Sequence, residues 1–447
     1  MPADRRPPVV RHRARTGRLV VVLVALACAA VAVAGLTRTD EIAMRVVAPL
    51  TDGGRDRPTT DRPEPGRPEP GRPEPGRPSS GGPRPTHSGQ PGPDPAAVVA
   101  DEAYWVSTAQ LTCTGDGAGA IAEARIVGTG LVSVHPYEAN IGARAMVAAG
   151  GRYLPMVRRY VDWYLSRLNS PDTAGVDGTV YDYDYDPVTC AGRFQQRPGS
   201  PTVPTYDSTD AYAGTFLSLV AAYARADPAG APASLGTPAM RDGLRRVADA
   251  IGATRRPSGL TAATPTYAAE YLLDNVEAQQ GLTDYAWLLG AVLDDPAGAA
   301  ARGAEAAAMR DAIEAVLWTG SHTPGLYAVA ADHLDPSWAV WYPDSLAQLW
   351  PIMAGLGDVD RRSALWAAFS AHWPGWEDSI PQYGAVSPDH DPNASVALAA
   401  ARAGDRAAVD AYLRSSQTRW VEAGRPPPWT VDDSGFRALA AQVGIGG

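Results

Sequence analysis

From residue 96 to the C-terminus, alanine is abundant, β-branched runs are few, and Gly or Pro interrupts the chain about every 12 to 25 residues. That pattern predicts helices over 96–111, 137–149, 152–168, 208–225, 238–253, 267–280, 283–294, 297–318, 343–356, 358–371, 393–403, 405–422 and 433–443. The helices are of two kinds. Segments 297–318 and 405–422 carry a wet face, marked by Arg302, Glu305, Arg310 and Glu314 in the first and by Arg406, Asp410, Arg414 and Arg419 in the second. Those starting near 208, 343 and 393 are apolar almost all round, so other helices must surround them. Alternation of dry and wet helices predicts two concentric layers, each inner helix followed by an outer one.

The inner helices start in an unusual way. HPYEAN places Glu138 at one start, YDSTD places Asp207 and Asp210 at the next, and YLLDNVE surrounds Asp274 and Glu277. WYPDS brings Asp344, HDPNAS precedes the helix at Asn393, and WTVDDS brings Asp432 and Asp433. In a ring of inner helices all these starts point to one end, so the clusters would converge on one basin. Capping alone accounts for Asp391, Asn393, Asp432 and Ser434, since such residues favour helix starts. It does not account for the recurrence of Tyr and Trp beside Asp. DGTVYDYDYD (177–186) alternates strictly. If extended, Tyr181, Tyr183 and Tyr185 face one way and Asp182, Asp184 and Asp186 the other, as in a two-stranded flap. A solvated hairpin is the plainer reading, and the carboxylates fit no recognised calcium loop.

The first hundred residues are different. Residues 19–36 form an uncharged apolar run after a basic stretch, 1–18, of bilayer-spanning length. The positive-inside rule places the N-terminus in the cytoplasm and the rest outside, as a single-pass cell-membrane anchor; a cleaved signal peptide is the rival. Residues 37–97 read as a disordered linker, with RPEPG repeated three times in succession. Extended, its last 50 or so residues reach roughly 150 Å. Residues 98–447 then form the extracytoplasmic domain. That domain carries 24 Arg and 39 acidic residues, and the chain contains no lysine. Such an acidic body argues against a nucleic-acid partner. Cys113 and Cys190 fall in the exported part and are expected to pair. Scattered histidines give no metal-ligand spacing, so neither a metal nor another cofactor is indicated.

The alternating helices, with YDSTDAY, LLDNVE and WYPDS at inner-helix starts, resemble the six-hairpin glycosidase superfamily over about 98–447. The resemblance implies an all-α fold, an (α/α)6 toroid of six helical hairpins, here after a transmembrane helix and a Pro-rich linker. It also implies an oligo- or polysaccharide partner. YDSTDA is similar, too, to the aspartate-rich segment of one glycoside hydrolase family whose Thr-Asp turn supplies catalytic carboxylates, although that family's glycines are missing.

Glycoside hydrolysis needs one carboxyl held protonated and another that activates water or attacks the sugar. The candidates are Asp207 and Asp210, three apart and on one helix face, with Glu138 as the acid. Aromatic rings give platforms for sugar C–H faces, and polar groups fix hydroxyls. Tyr137, Tyr181, Asp182, Tyr206, Asp274, Glu277, Trp341, Tyr342, Asp344, Trp376 and Glu377 are the substrate-binding candidates. The expectation is a monomeric, membrane-anchored glycoside hydrolase-like protein. The alternative is a non-catalytic glycan-binding or scaffold toroid, in which the carboxylates would be tied up with arginines or caps. A polysaccharide lyase stays open; a lanthionine-type cyclase would need zinc ligands, and DYDYD is a poor match to a terpene cyclase.

Overall fold

The computed structural model describes residues 92–197, 199–200, 202–320, 325–378 and 392–443. The basic stretch, the apolar run and most of the linker lie outside these residues, as do Asp391, His322 and His390. Among the described residues no helix is long and apolar enough to cross a membrane.

The body begins with α1 (Pro95–Ser107), followed by α2 (Pro136–Ala149), α3 (Leu154–Ser166) and α4 (Thr209–Ala226). Next come a short α5 (Ala231–Leu235), α6 (Pro238–Ala253), α7 (Leu272–Ala291) and α8 (Pro296–Ala312). The last are α9 (Leu349–Ala354), α10 (Val359–His372), α11 (Ala394–Ala403), α12 (Arg406–Ser416) and α13 (Val431–Val443). Helices α2, α4, α7, α9, α11 and α13 pack in a closed order, each against the next and α13 back against α2. The others lie outside them: α1 against α13 and α2, α3 against α2 and α4, α6 against α4, α8 against α7, α10 against α9, and α12 against α11.

Burial follows from the sequence pattern. In α4 every residue from 209 to 224 except Ala222 is buried, whereas α8 buries only Ala306, Met309 and Ala312. Two glycine pairs set how closely the inner helices approach. A β-carbon at Gly214 would meet the Glu277 backbone, and one at Gly281 would meet the Gly214 backbone. Likewise one at Gly142 would meet Val431, and one at Gly435 the Ile141 carbonyl.

Several expected boundaries differ. The sequence reading breaks 267–294 at Gly281, but α7 runs through it, because that glycine serves the crossing with α4 and does not end the helix. The expected helix 343–356 is interrupted: Trp341–Ser345 forms a π-turn with Tyr342 extended, and only Leu349–Ala354 is α-helical. Segments 297–318 and 405–422 end in π-turns at Ile313–Leu317 and Gln417–Val421.

The alternating stretch is the middle of a three-stranded antiparallel sheet, not one half of a two-stranded flap. The order is β1 (Val132–Val134), β2 (Tyr183–Tyr185), β3 (Gly192–Phe194), with Val134 opposite Tyr183 and Tyr183 opposite Phe194. Tyr181, Tyr183 and Tyr185 are buried, so the segment is not a solvated hairpin. A disulfide joins Cys113 to Cys190 just before β3. A two-residue pairing, β4 (Trp318–Thr319) with β5 (Leu326–Tyr327), lies elsewhere.

Candidate active site

β1 runs straight into α2 through His135, the N-cap residue. The first turns of α2, α4, α7 and α13 hold Glu138, Asp210 and Asp274, all buried, and Asp432, which is half-buried. Helix dipoles favour negative charge at these ends, but loss of water weighs more, and each carboxyl is pushed up from its ordinary value. These acids act on one another. Asp274 feels Asp210, Asp207 and Glu277; Glu277 feels Asp210 and Asp207; Glu138 feels Glu123 and Asp432; Asp207 feels Asp182. Asp207, in the turn before α4, is partly exposed, and burial and Asp182 raise it to about 7. Burial raises Asp182 to about 6 and Glu277 to about 8.

Hydrogen bonds fix several of these groups. Tyr137 Oη and Trp350 Nε1 both donate to Glu277 Oε1, at 2.7 and 2.8 Å. Tyr212 Oη donates to Asp182 Oδ1 at 3.0 Å, and Tyr206 Oη donates to Asp172 Oδ2 at 2.7 Å. The rings of Tyr181, Tyr206, Tyr212 and Tyr137 form a row with centroid separations of 5.7, 6.4 and 6.1 Å. Tyr181 and Tyr212 in that row are buried, while Tyr137 and Tyr206 are partly exposed and can offer flat apolar faces.

His135 is the base within the group. Gln195 Nε2 lies 3.3 Å from Asp184 Oδ1, and both of its amide atoms reach His135 Nε2, Oε1 at 3.2 Å and Nε2 at 3.1 Å. His135 Nδ1 lies 3.4 Å from Glu138 Oε2 and 4.0 Å from Glu123 Oε2. Burial opposes charge on this ring, but Glu138, Asp182 and Glu123 outweigh it and raise the imidazole well above its ordinary value. The ligand atoms of Glu123, His135 and Glu138 all lie within 4.8 Å of one another, close enough to hold a metal ion. An imidazole ring set between two carboxyl groups accounts for the same spacing without one.

The sequence candidates divide. Glu138, Asp207, Asp210, Asp182, Asp274, Glu277, Tyr137, Tyr181 and Tyr206 belong to this network. Tyr342 is near it, acting on Tyr271 at the N-cap of α7. Asp344 accepts from Ser337 N at 2.8 Å and lies 3.5 Å from His333 Nε2. Trp341 packs on Phe369 and Trp373, and Trp376 on Trp366 and Tyr412, so both rings face the outer layer; Glu377 is buried beside Trp376. Sequence reasoning missed His135, Glu123 and Gln195 and read Asp432 as a cap. Asp432 instead accepts from the Thr430 hydroxyl and faces Glu123. Surface grooves of about 490 and 630 Å³ lie elsewhere, one lined by Arg241, Tyr285 and Arg302, the other by Cys113, Arg159 and Trp163. Neither includes a member of the acid cluster.

No protein-family model matches the chain, and no curated protein matches it in sequence. Solved structures do match in shape. A wild-type glycosidase superposes with a TM-score of 0.51 at 14% identity, over 79% of this chain and 97% of that one. A single-substitution variant of a glycosidase gives 0.52 at 13% identity, with the same coverage. The fold is similar to that of these glycosidases. A rhamnosidase from Klebsiella oxytoca with rhamnose bound gives a TM-score of only 0.46 at 14% identity over 79% of this chain, which spans 65% of its length, and adds nothing to the argument. Within the glycosidase-like fold, the network above lies at the N-terminal ends of the inner helices.

Proposed function

We propose that the protein is a glycoside hydrolase-like enzyme, anchored by residues 19–36 and acting outside the cytoplasm on an oligo- or polysaccharide. The observation that carries this reading is the gathering of buried carboxyls of raised affinity for protons beside a row of tyrosine rings. Glu138, enclosed and pushed up, serves as the acid that protonates the leaving oxygen. Asp207, partly exposed and at about 7, serves as the base or nucleophile, with a proton affinity near working pH. Asp210 stands beside Asp207 and tunes it. Tyr206 and Tyr137 offer stacking faces. A binding-only toroid would tie its carboxylates to arginines or caps; Asp210 Oδ1 does accept from Ala211 N, but among the described residues no arginine ion-pairs with Glu138, Asp207, Asp210, Asp274 or Glu277. The anchor and the exported location rest on the apolar run, its basic flank and the cysteine pair. The test is release of sugar from a glycan panel by the full chain and by Asp207→Asn. The substitution should lower turnover by at least about a hundredfold; release that survives it unchanged removes Asp207 from the mechanism.

A further inference from the structure

Among the described residues the acid cluster has few partners of opposite charge. Glu123, Glu138, Asp182, Asp207, Asp210, Asp274, Glu277 and Asp432 act on one another, and His135 is the one base that appears among the strongest influences on them. The chain has no lysine to add. A second observation points to a ligand. Asp274 is 7% exposed, and its Oδ2 is buried without a hydrogen-bond partner, although Asp210, Asp207 and Glu277 all stand close enough to act on it. Asp210 is fully buried, and its Oδ2 also lacks one. A buried acceptor left unpaired costs about 1–3 kcal/mol, and more when charged. Such a site is completed by a group that brings N–H donors and positive charge together.

We propose, resting on the glycosidase reading, that the glycan held here carries free, protonated amino groups: a hexosamine polymer that lacks at least part of its N-acetyl groups. An ammonium supplies three donors and no acceptor, which suits Asp210 Oδ2, Asp274 Oδ2 and their neighbours. An N-acetyl group supplies one donor and turns a carbonyl oxygen towards carboxylates. A uronic acid sets like charge against like. The tyrosine row adds faces on which a cation is attracted by the ring quadrupole.

The test is calorimetric titration of the full chain at pH 7, where Asp207 is about half ionised. The probes are oligomers of glucosamine, their N-acetylated counterparts, neutral gluco-oligosaccharides and uronic acid oligomers. The free-amine oligomer should bind at least about tenfold more tightly than its acetylated twin, since one close charge pair at an effective dielectric of about 20 is worth more than that. Asp274→Asn and, separately, Glu277→Gln should shrink the preference to within about threefold while each variant keeps the parent's circular dichroism. Equal or tighter binding of neutral or acetylated oligomers overturns the inference and leaves the glycosidase reading standing. A preference undiminished in both variants overturns it as well, because the amine is then held elsewhere. If no oligomer of any kind binds or is cleaved, both readings fall. Tight binding of Zn2+ or Ca2+ that blocks the free-amine oligomer and is lost in Asp274→Asn overturns it in favour of a metal site.

Discussion

Replacing Gly281 by alanine forces apart the two longest inner helices. The new β-carbon would stand 2.4 Å from the Gly214 carbonyl oxygen, 2.5 Å from its Cα and 2.8 Å from its carbonyl carbon. Close-packed interiors have no slack of that size, so α4 and α7 must separate by on the order of 1 Å. All three atoms are backbone, and no side chain can swing away to make room. Helix propensity acts in the other direction, since alanine for glycine inside a helix favours folding by up to about 1 kcal/mol. Overpacking costs about 1–3 kcal/mol, occasionally more, and with three backbone atoms in the way the upper part of that range applies, so the net effect is a loss of about 1–2 kcal/mol. Gly303 on α8 is the control: a β-carbon there meets only Ala286 Cβ at 3.9 Å, so propensity acts alone and Gly303→Ala gains up to about 1 kcal/mol. Urea unfolding followed by circular dichroism reads both variants against the parent. Glycan turnover should also fall in Gly281→Ala, because Asp207 and Asp210 precede or begin α4 while Asp274 and Glu277 begin α7. If Gly281→Ala proves as stable as Gly303→Ala, the close crossing and the packing argument built on it are wrong.

Other outcomes follow from the same coordinates. Opening the Cys113–Cys190 link, which spans 77 residues of chain, should cost about 2–4 kcal/mol, read as the difference in urea midpoint between Cys113→Ser and the parent. Stability should fall as pH rises from about 4 to about 8: the unfolded chain gives up these carboxyl protons near the ordinary values, whereas the fold keeps them on Asp182 to about 6, on Asp207 to about 7 and on Glu277 to about 8. Denaturation midpoints at pH 5 and pH 8 measure this slope, and Glu277→Gln should flatten it. Arg437→Ala should cost about 3–5 kcal/mol, because Glu102 is then left deeply buried with Arg425 as its remaining charge partner; adding Glu102→Gln should recover part of that loss in the same assay.

The acids were legible because each breaks a local rule: Glu138, Asp210 and Asp274 sit at the mouths of helices that are otherwise apolar, where capping chemistry explains neither their burial nor the tyrosines beside them. The order of inner and outer helices was legible for a similar reason, as a helix without a wet face has to be surrounded. His135 and Glu123 were not, because their meaning depends on β1, three residues too short to announce a strand, and on the pairing that brings Gln195 across the sheet. Gly281 misled, since a glycine that ends a helix and one that lets two helices touch look alike until the partner Gly214 is placed opposite. Trp341 and Trp376 misled differently: aromatic residues next to acids suit a basin rim and a core equally, and only the positions of Phe369 and Tyr412 decide between them.

Arg437 and Glu102 are both wholly buried and paired, although 335 residues of chain separate them, and the helix that carries Arg437 stands between α2 and α11. While the polypeptide is being made, that berth stays empty until residues 431–443 arrive. Until then Ile141 and Gly142 on one flank, and α11 on the other, lack part of their cover. The hollow is therefore sealed late, by the final stave of the cask. Anything that loosens that stave should open the molecule along the same seam and dismantle the acid cluster with it, since Asp432 leaves when the stave does.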